Sequence, residues 1–360
     1  MSNPSTYHQI LRENFDRMTA DLLSILPSEV TGFVNTRYQK LAPRTRHAYV
    51  QDIYIFYCFL LQSDPEHDQD TRLTAYNLDV LASVTTDQLL SYVSWLKEYQ
   101  LDGKTHHNAE SGIRRKLSSL SSYFRYLAAQ GYVSGNPVLV FDINDLLRKA
   151  NSLASPEKYK PDSSLDPCLL YKAVELDSNQ DLTPQQKVFH PIIVKRDRLI
   201  LHLLIDTGIQ VSDLVSLDLD DISFEKFRIR LQRTGSESVY IYLNDYNADL
   251  LFDYLKNGRD YFRPDEASSN ALLLSRRHQR ITARAIEQLV SRYGKLAYGE
   301  DVHITPAMLR KAFAEQVYAE TRDLYLVTSA LHRKSLYTGL DQKSEKDRQK
   351  ELAEMIRRQK

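Results

Sequence analysis

RDRLILHLLIDTGIQVSDLVSLDLDDI, residues 196–222, is the stretch on which the fold turns. Residues 197–206 read as an apolar helix, Thr207-Gly208 marks a turn, and 211–217 form a second, short helix. Directly afterwards the period of the apolar residues changes from helical to two. FRIRLQ (227–232) sets Phe227, Ile229 and Leu231 on one face, and SVYIYL (238–243) does the same with Val239, Ile241 and Leu243. The intervening residues 233–237 are read as a hairpin turn. ALLLS at 271–275 is expected to add a third strand. Helices are expected over 169–176, 283–297 and 306–319, the last with Thr305 as N-cap and Pro306 in its first turn. Helices running into a small antiparallel hairpin and out again imply a mixed α/β domain.

Upstream the period is helical throughout. Residues 7–26 carry a stripe of Ile10, Leu11, Phe15, Met18, Leu22 and Leu23. A break around Pro27 and Gly32 precedes a long helix at 44–62, introduced by Pro43. Thr85 or Thr86 caps a helix bearing Leu89, Leu90, Val93, Trp95 and Leu96. The clearest signal covers 108–130, where Ile113, Leu117, Leu120, Phe124 and Leu127 fall at helical spacing and Gly131 ends the run. The first half is therefore read as all-helical. The expected layout is an N-terminal helical extension (1–35), a helical domain (36–140), a Pro/Ser/Asp/Lys-rich linker (141–166), the mixed domain (167–343) and a polar C-terminal helix (344–360).

Composition narrows the class without naming a ligand. In 360 residues, 42% hydrophobic and 26% charged side chains suit a globular chain with two cores. The N-terminus lacks the apolar run of a signal peptide, and no stretch is apolar enough to span a bilayer, so an intracellular, reducing setting is expected. The two cysteines, Cys58 and Cys168, form no metal or disulfide pattern, and His106 and His107 lack partners at metal spacing. No metal and no cofactor are expected. Lys plus Arg and Asp plus Glu both total 47, so any nucleic-acid surface must come from charge segregated to one face.

The order of elements, and several segments within it, resemble the tyrosine recombinase (phage integrase) family. PRTRHAYVQDIYIFYCFL (43–60) resembles that family's first clamp helix, and GIRRKLSSLSSYFRYL (112–127) its DNA-facing helix. Residues 196–222 resemble the segment holding the first catalytic arginine. ITARAIEQLVSRYGKLA (281–297) and ITPAMLRKAFAEQVYAETRDLYLVTSAL (304–331) resemble the segments around the second. The resemblance implies a SAM-like helical core-binding domain, an integrase-type catalytic-fold domain with a small antiparallel sheet, and a duplex gripped by the two domains. It also implies a chemistry: a tyrosine hydroxyl attacks the scissile phosphate, arginines and a histidine stabilise the developing charge, and a hairpin lysine protonates the leaving 5′ oxygen.

Several positions depart from that pattern. Gln210 stands where the first arginine is expected, Arg233 in place of the hairpin lysine, and Ala307 in place of the histidine three residues before Arg310, which is retained. The second histidine corresponds to Arg333 or, with a one-residue shift, to His332. The nucleophile's place, near residues 341–342, holds no tyrosine, and Tyr337 is the nearby candidate. These substitutions lead to the expectation of a repressor-like regulator or architectural factor of a phage or mobile element, cytoplasmic and nucleoid-associated, that binds DNA without cutting it. An active recombinase using Tyr337 is the alternative. A protein-interaction subunit that has lost DNA binding is a third. The residues expected on DNA are Arg44, Arg46, Arg114, Arg115, Lys116, Arg233, Arg284, Arg292, Lys295, Arg310 and Arg333. Double-stranded DNA with paired half-sites is the expected partner, and the tail 344–360, with Leu352, Met355 and Ile356, is expected to dock on a second protomer.

Overall fold

The computed structural model describes residues 6–37, 41–63, 73–75, 78–140, 165–177, 183–232 and 239–332. The chain divides into two compact units, Thr6–Glu157 and Lys158–Lys360. Residues 141–164 of the expected linker 141–166, and the tail 344–360, lie outside the described residues.

The first unit is built from α1 (Thr6–Ile25), α2 (Ser28–Arg37), α3 (Pro43–Ser63), α4 (Leu78–Ala82), α5 (Thr86–Lys97) and α6 (Glu110–Ala129). Ile53 and Phe56 of α3 and Leu117, Leu120 and Phe124 of α6 are buried in one core, and Phe56 meets Tyr92 edge-on with centroids 5.0 Å apart. Thr85 caps α5 through a reciprocal pair: its hydroxyl accepts from the Gln88 amide, and the Gln88 side chain accepts from the Thr85 amide. Residues 6–35 are not a separate extension. Leu26, Val30, Phe33 and Val34 are buried in the same core, and α2 runs through Gly32, whose bare Cα faces the Tyr126 hydroxyl.

Nor is this unit all-helical. β1 (Glu98–Leu101) and β2 (Lys104–His107) form an antiparallel hairpin, with Leu101 paired to Lys104. Asp102 (φ 52°) and Gly103 (φ 71°) make the two-residue turn, which needs positive φ at both positions. The sequence EYQL/KTHH has few β-formers, but Trp95, Tyr99 and His106 stack at 4.3 and 5.1 Å and fasten the hairpin to α5.

The second unit comprises α7 (Pro167–Glu175), α8 (Pro184–Thr207), α9 (Val211–Ser216), β3 (Ile222–Ser223), β4 (Arg228–Leu231), β5 (Val239–Tyr242), α10 (Asp245–Asn257), α11 (Ala283–Tyr298), α12 (Pro306–Thr321) and α13 (Leu324–Ala330). The 24-residue α8 is its spine, with α7, α10 and α12 packed along it. It starts well before the expected 197 and carries Pro191 in its second turn, where only one backbone hydrogen bond is forfeited. The sheet order is β3-β4-β5, antiparallel, with Ile229 opposite Ile241 and Leu231 opposite Val239. Phe227 is not on the strand's inner face; it sits in the preceding turn at φ 47° and is exposed. Residues 271–275 form no strand of this sheet either. They are a buried irregular segment tied by isolated bridges, Asp218 to Ala271 and Leu274 to Arg280, and β3 is the third strand instead. Among the described residues no helix is long and apolar enough to cross a membrane.

Candidate nucleic-acid interface and catalytic cleft

The turn after α8, the start of α9 and the face between α11 and α12 enclose a cleft of about 470 Å³. Gln210 is the N-cap of α9, exposed and with no side-chain capping bond, and it lines this cleft. Ala307 and Arg310 lie one helical turn apart on α12, whose start is fixed by Thr305: its hydroxyl accepts from the Met308 amide, with Pro306 next in line. The sequence thus brings Gln210, Ala307 and Arg310 into one cavity, as the resemblance implies.

Arg310 is half-buried and held from two sides. Its guanidinium donates to the carbonyl of Gly208, at the end of α8, and to that of Leu331 at 2.7 Å, at the end of α13. The guanidinium keeps its charge in this arrangement, and it lines the cleft, so a phosphate entering there would be attracted to it. Gly208 has φ +59°, and a side chain there would run into the Phe313 ring of α12. The Arg310 geometry therefore depends on a residue without a Cβ.

Two further walls of the cleft bear charge or a titratable ring. Arg284, in the first turn of α11, is exposed and 3.7 Å from Glu287. His303, just before α12, has Nδ1 3.3 Å from the Ser291 hydroxyl. His303 was not singled out by sequence reading, because it matches no family position; its place only emerges when α11 and α12 pack together. His332 ends α13 in the left-handed region (φ 51°), with its amide donating to the Ser329 carbonyl at 2.8 Å, and it does not line the cleft. Arg233, Arg333 and Tyr337 lie outside the described residues.

The remaining expected DNA contacts are distributed unevenly. Arg292 is exposed but engaged by the buried Asp197 at 3.0 Å and by Asp177 at 3.4 Å, while Lys295 pairs with Glu300 at 2.8 Å. In the helical unit Arg44 is exposed, Arg46 binds Asp16 at 2.5 Å, and Arg114 pairs with Glu110 one turn away. Arg115 is half exposed, and its fork holds both oxygens of Asp52, at 2.5 and 2.8 Å. Lys116 corrects the sequence reading. It is only 7% exposed, its amine lies 3.9 Å from Asp52, and burial pushes its pKa down, so it serves the interior and not a phosphate. Asp52 also accepts from Ser119 at 2.7 Å, completing a buried polar network between α3 and α6.

Comparison with known proteins bears on both family and activity. Residues 188–338 match the phage integrase family. The tyrosine recombinase XerC of Oceanobacillus iheyensis is 28% identical over 300 residues, covering 82% of this chain and 83% of its own. The tyrosine recombinase XerS of Streptococcus agalactiae is 25% identical and spans 97% of this chain and 99% of its own. Two solved structures share the fold. The Tn1549 transposon integrase in complex with transposon right end DNA has a TM-score of 0.57 at 17% identity, covering 91% of this chain and 98% of that one. The XerH recombinase bound to palindromic difH has a TM-score of 0.55 at 15% identity, covering 92% of each. These findings overturn the expectation of a regulator that does not cut DNA and is not an enzyme: the relatives that match nearly end to end are recombinases by name. The expectation rested on departures at single positions, whereas the potential in a cleft is the sum over all its walls, which here include Arg284 and Glu287 as well as Arg310. By its 188–338 segment, its end-to-end relatives and its architecture, the chain belongs to the tyrosine recombinase (phage integrase) family.

Proposed function

We propose that this protein is a site-specific tyrosine recombinase acting on double-stranded DNA, with two or more protomers on paired half-sites. The observation that carries this reading is Arg310, pinned at Gly208 and Leu331 inside a cleft that also presents Arg284 and His303. A fixed guanidinium at a phosphate needs no reorganisation as negative charge builds on the non-bridging oxygens, which is where catalysis of phosphoryl transfer gains most. In that reaction a tyrosine Oη–P bond forms as the P–O5′ bond breaks, and the 5′ oxygen leaves with a proton. Tyr337 is the candidate nucleophile. Gln210 contributes amide N–H donors without charge, and Arg284 brings a second guanidinium to this cleft, partly offset by Glu287 on the same wall. The tail 344–360 is assigned to contact between protomers.

The test is covalent capture. Full-length protein is incubated with a library of genomic fragments carrying nicks, and adducts are recovered after denaturation. Wild type is expected to give protein-linked DNA, and Tyr337→Phe none. Adducts persisting in Tyr337→Phe would move the nucleophile to another tyrosine. Absence of adducts from wild type would refute the recombinase reading.

A further inference from the structure

Beside the Arg310 cleft lies a second one, of about 610 Å³, on the other side of the start of α11. Its rim is the tight turn 275–279, closed by the Leu274–Arg280 bridge. The turn is pegged at several points. The Ser275 amide donates to the Gln279 carbonyl at 2.7 Å, His278 (φ 64°) sets Nδ1 2.7 Å from the Phe262 carbonyl, and the Asp265 amide donates to the His278 carbonyl at 2.8 Å. Beneath it, buried Arg196 donates to the Leu274 carbonyl at 2.8 Å and lies over the Phe262 ring. Arg280 is bound to Asp218 and to the Val215 and Leu217 carbonyls.

At the tip of this rigid turn stand Arg276 and Arg277, both exposed. Among the described residues neither side chain makes a hydrogen bond or ion pair. That sets them apart from Arg114, Arg198, Lys195, Lys295 and Lys311, which all have carboxylate partners. Among the described residues the only acidic side chain lining the cleft is Asp197, already buried and taken up by Arg196, Arg292 and the Tyr293 hydroxyl. In a chain with 47 positive and 47 negative side chains, this is cationic charge segregated to one place. Arg284 and Gln288 line both clefts, so the two open onto one continuous surface.

The geometry points to the 275–279 turn as a phosphate-binding element of its own, which grips the DNA backbone outside the cleavage position through Arg276 and Arg277. It takes no part in chemistry. The pegged turn needs no backbone ordering on binding, and a phosphodiester backbone offers anionic oxygens at regular spacing to two adjacent guanidiniums. This inference rests on the DNA-binding reading above but adds a site to it.

The experiment uses the full chain and a random-sequence 30-base-pair duplex, with binding followed by fluorescence anisotropy between about 50 and 250 mM KCl. Each phosphate contact contributes about 0.9 to the slope of log affinity against log salt. Arg276→Ala/Arg277→Ala is expected to lower that slope by about 1.8 and to weaken binding roughly tenfold or more at the lowest salt. Arg276→Lys/Arg277→Lys should keep most of the slope, since lysine also binds phosphate as a point charge. An unchanged slope in the alanine pair, or a lysine pair as weak as the alanine pair, would each overturn the assignment. Failure of wild type to bind any duplex would instead bring down the DNA reading itself.

Discussion

Replacing Arg310 by alanine removes a tether and a phosphate contact together, and the structure lets the two be separated. The tether is a pair of hydrogen bonds from a charged donor to the Gly208 and Leu331 carbonyls, joining the end of α8 to the end of α13. Such bonds are worth about 1.5–3 kcal/mol each when buried. Arg310 is only half-buried and water can reach the freed carbonyls, so a combined loss of about 2–3 kcal/mol is expected. For a unit of this size that lowers Tm by roughly 5–10 °C, readable by calorimetry without DNA. On duplex DNA the variant should bind about 5- to 150-fold more weakly on specific and random sequence alike, with a salt slope lower by about 1. Arg310→Lys keeps the charge but cannot span two carbonyls with one ammonium, so it should recover part of the DNA affinity and little of the Tm. An alanine variant with unchanged Tm would refute the tether. A lowered Tm with unchanged affinity and slope would reduce Arg310 to a structural residue.

Gly208→Ala combines φ +59° with a clash against Phe313 and should cost well over the roughly 1–2 kcal/mol expected from backbone strain alone. Gly131→Ala, at φ +76° with open space around it, should show only that smaller cost by the same calorimetric measurement. Asp52→Ala strands the buried Lys116 charge and should destabilise the helical unit by about 3–5 kcal/mol in urea unfolding, with Lys116→Met restoring much of the loss; a single variant that stays near wild type would show the network to be dispensable. His47 is buried with Nδ1 unpartnered, and burial holds its pKa below the usual histidine value. Its folded pKa is thus below its unfolded one, near 6.5, so it costs nothing above that pH and loses stability for the fold as pH drops through the folded pKa. His47→Phe should flatten urea-unfolding stability as pH falls below about 6.5, and an unaltered pH profile would exclude the ring as the cause.

The elements that sequence reading placed well are those whose signal is local. Thr305-Pro306 starts α12, Ile229 and Leu231 face inward on β4, and the apolar spacing of 110–129 gives α6, because caps and amphipathic periods are properties of a few neighbouring residues. What was misread depends on packing from elsewhere in the chain. Residues 271–275 are apolar because other segments bury them, not because they belong to a sheet. The 98–107 hairpin had one local clue, Asp102-Gly103, outweighed by its polar strands. Lys116 reads as a DNA contact until Asp52, on another helix, comes beside it. The cleft was half legible. Gln210, Ala307 and Arg310 follow from family positions, whereas His303 and the unpaired Arg276 and Arg277 needed the assembled surface.

The spine helix α8 has a metric consequence. Arg196, under the basic turn, and Thr207, next to the glycine that receives Arg310, stand on one uninterrupted helix. Eleven residues of helix separate them by about 17 Å. Phosphates of one DNA strand advance about 3.4 Å along the axis per nucleotide, so that interval corresponds to about five steps. In the proposed grip the helix acts as a ruler inside the protein: it sets how far from the Arg310 cleft the turn would take hold of a strand. One residue inserted between 196 and 207 would lengthen it by only about 1.5 Å but turn one end by about 100° against the other, enough to put the two grips out of phase.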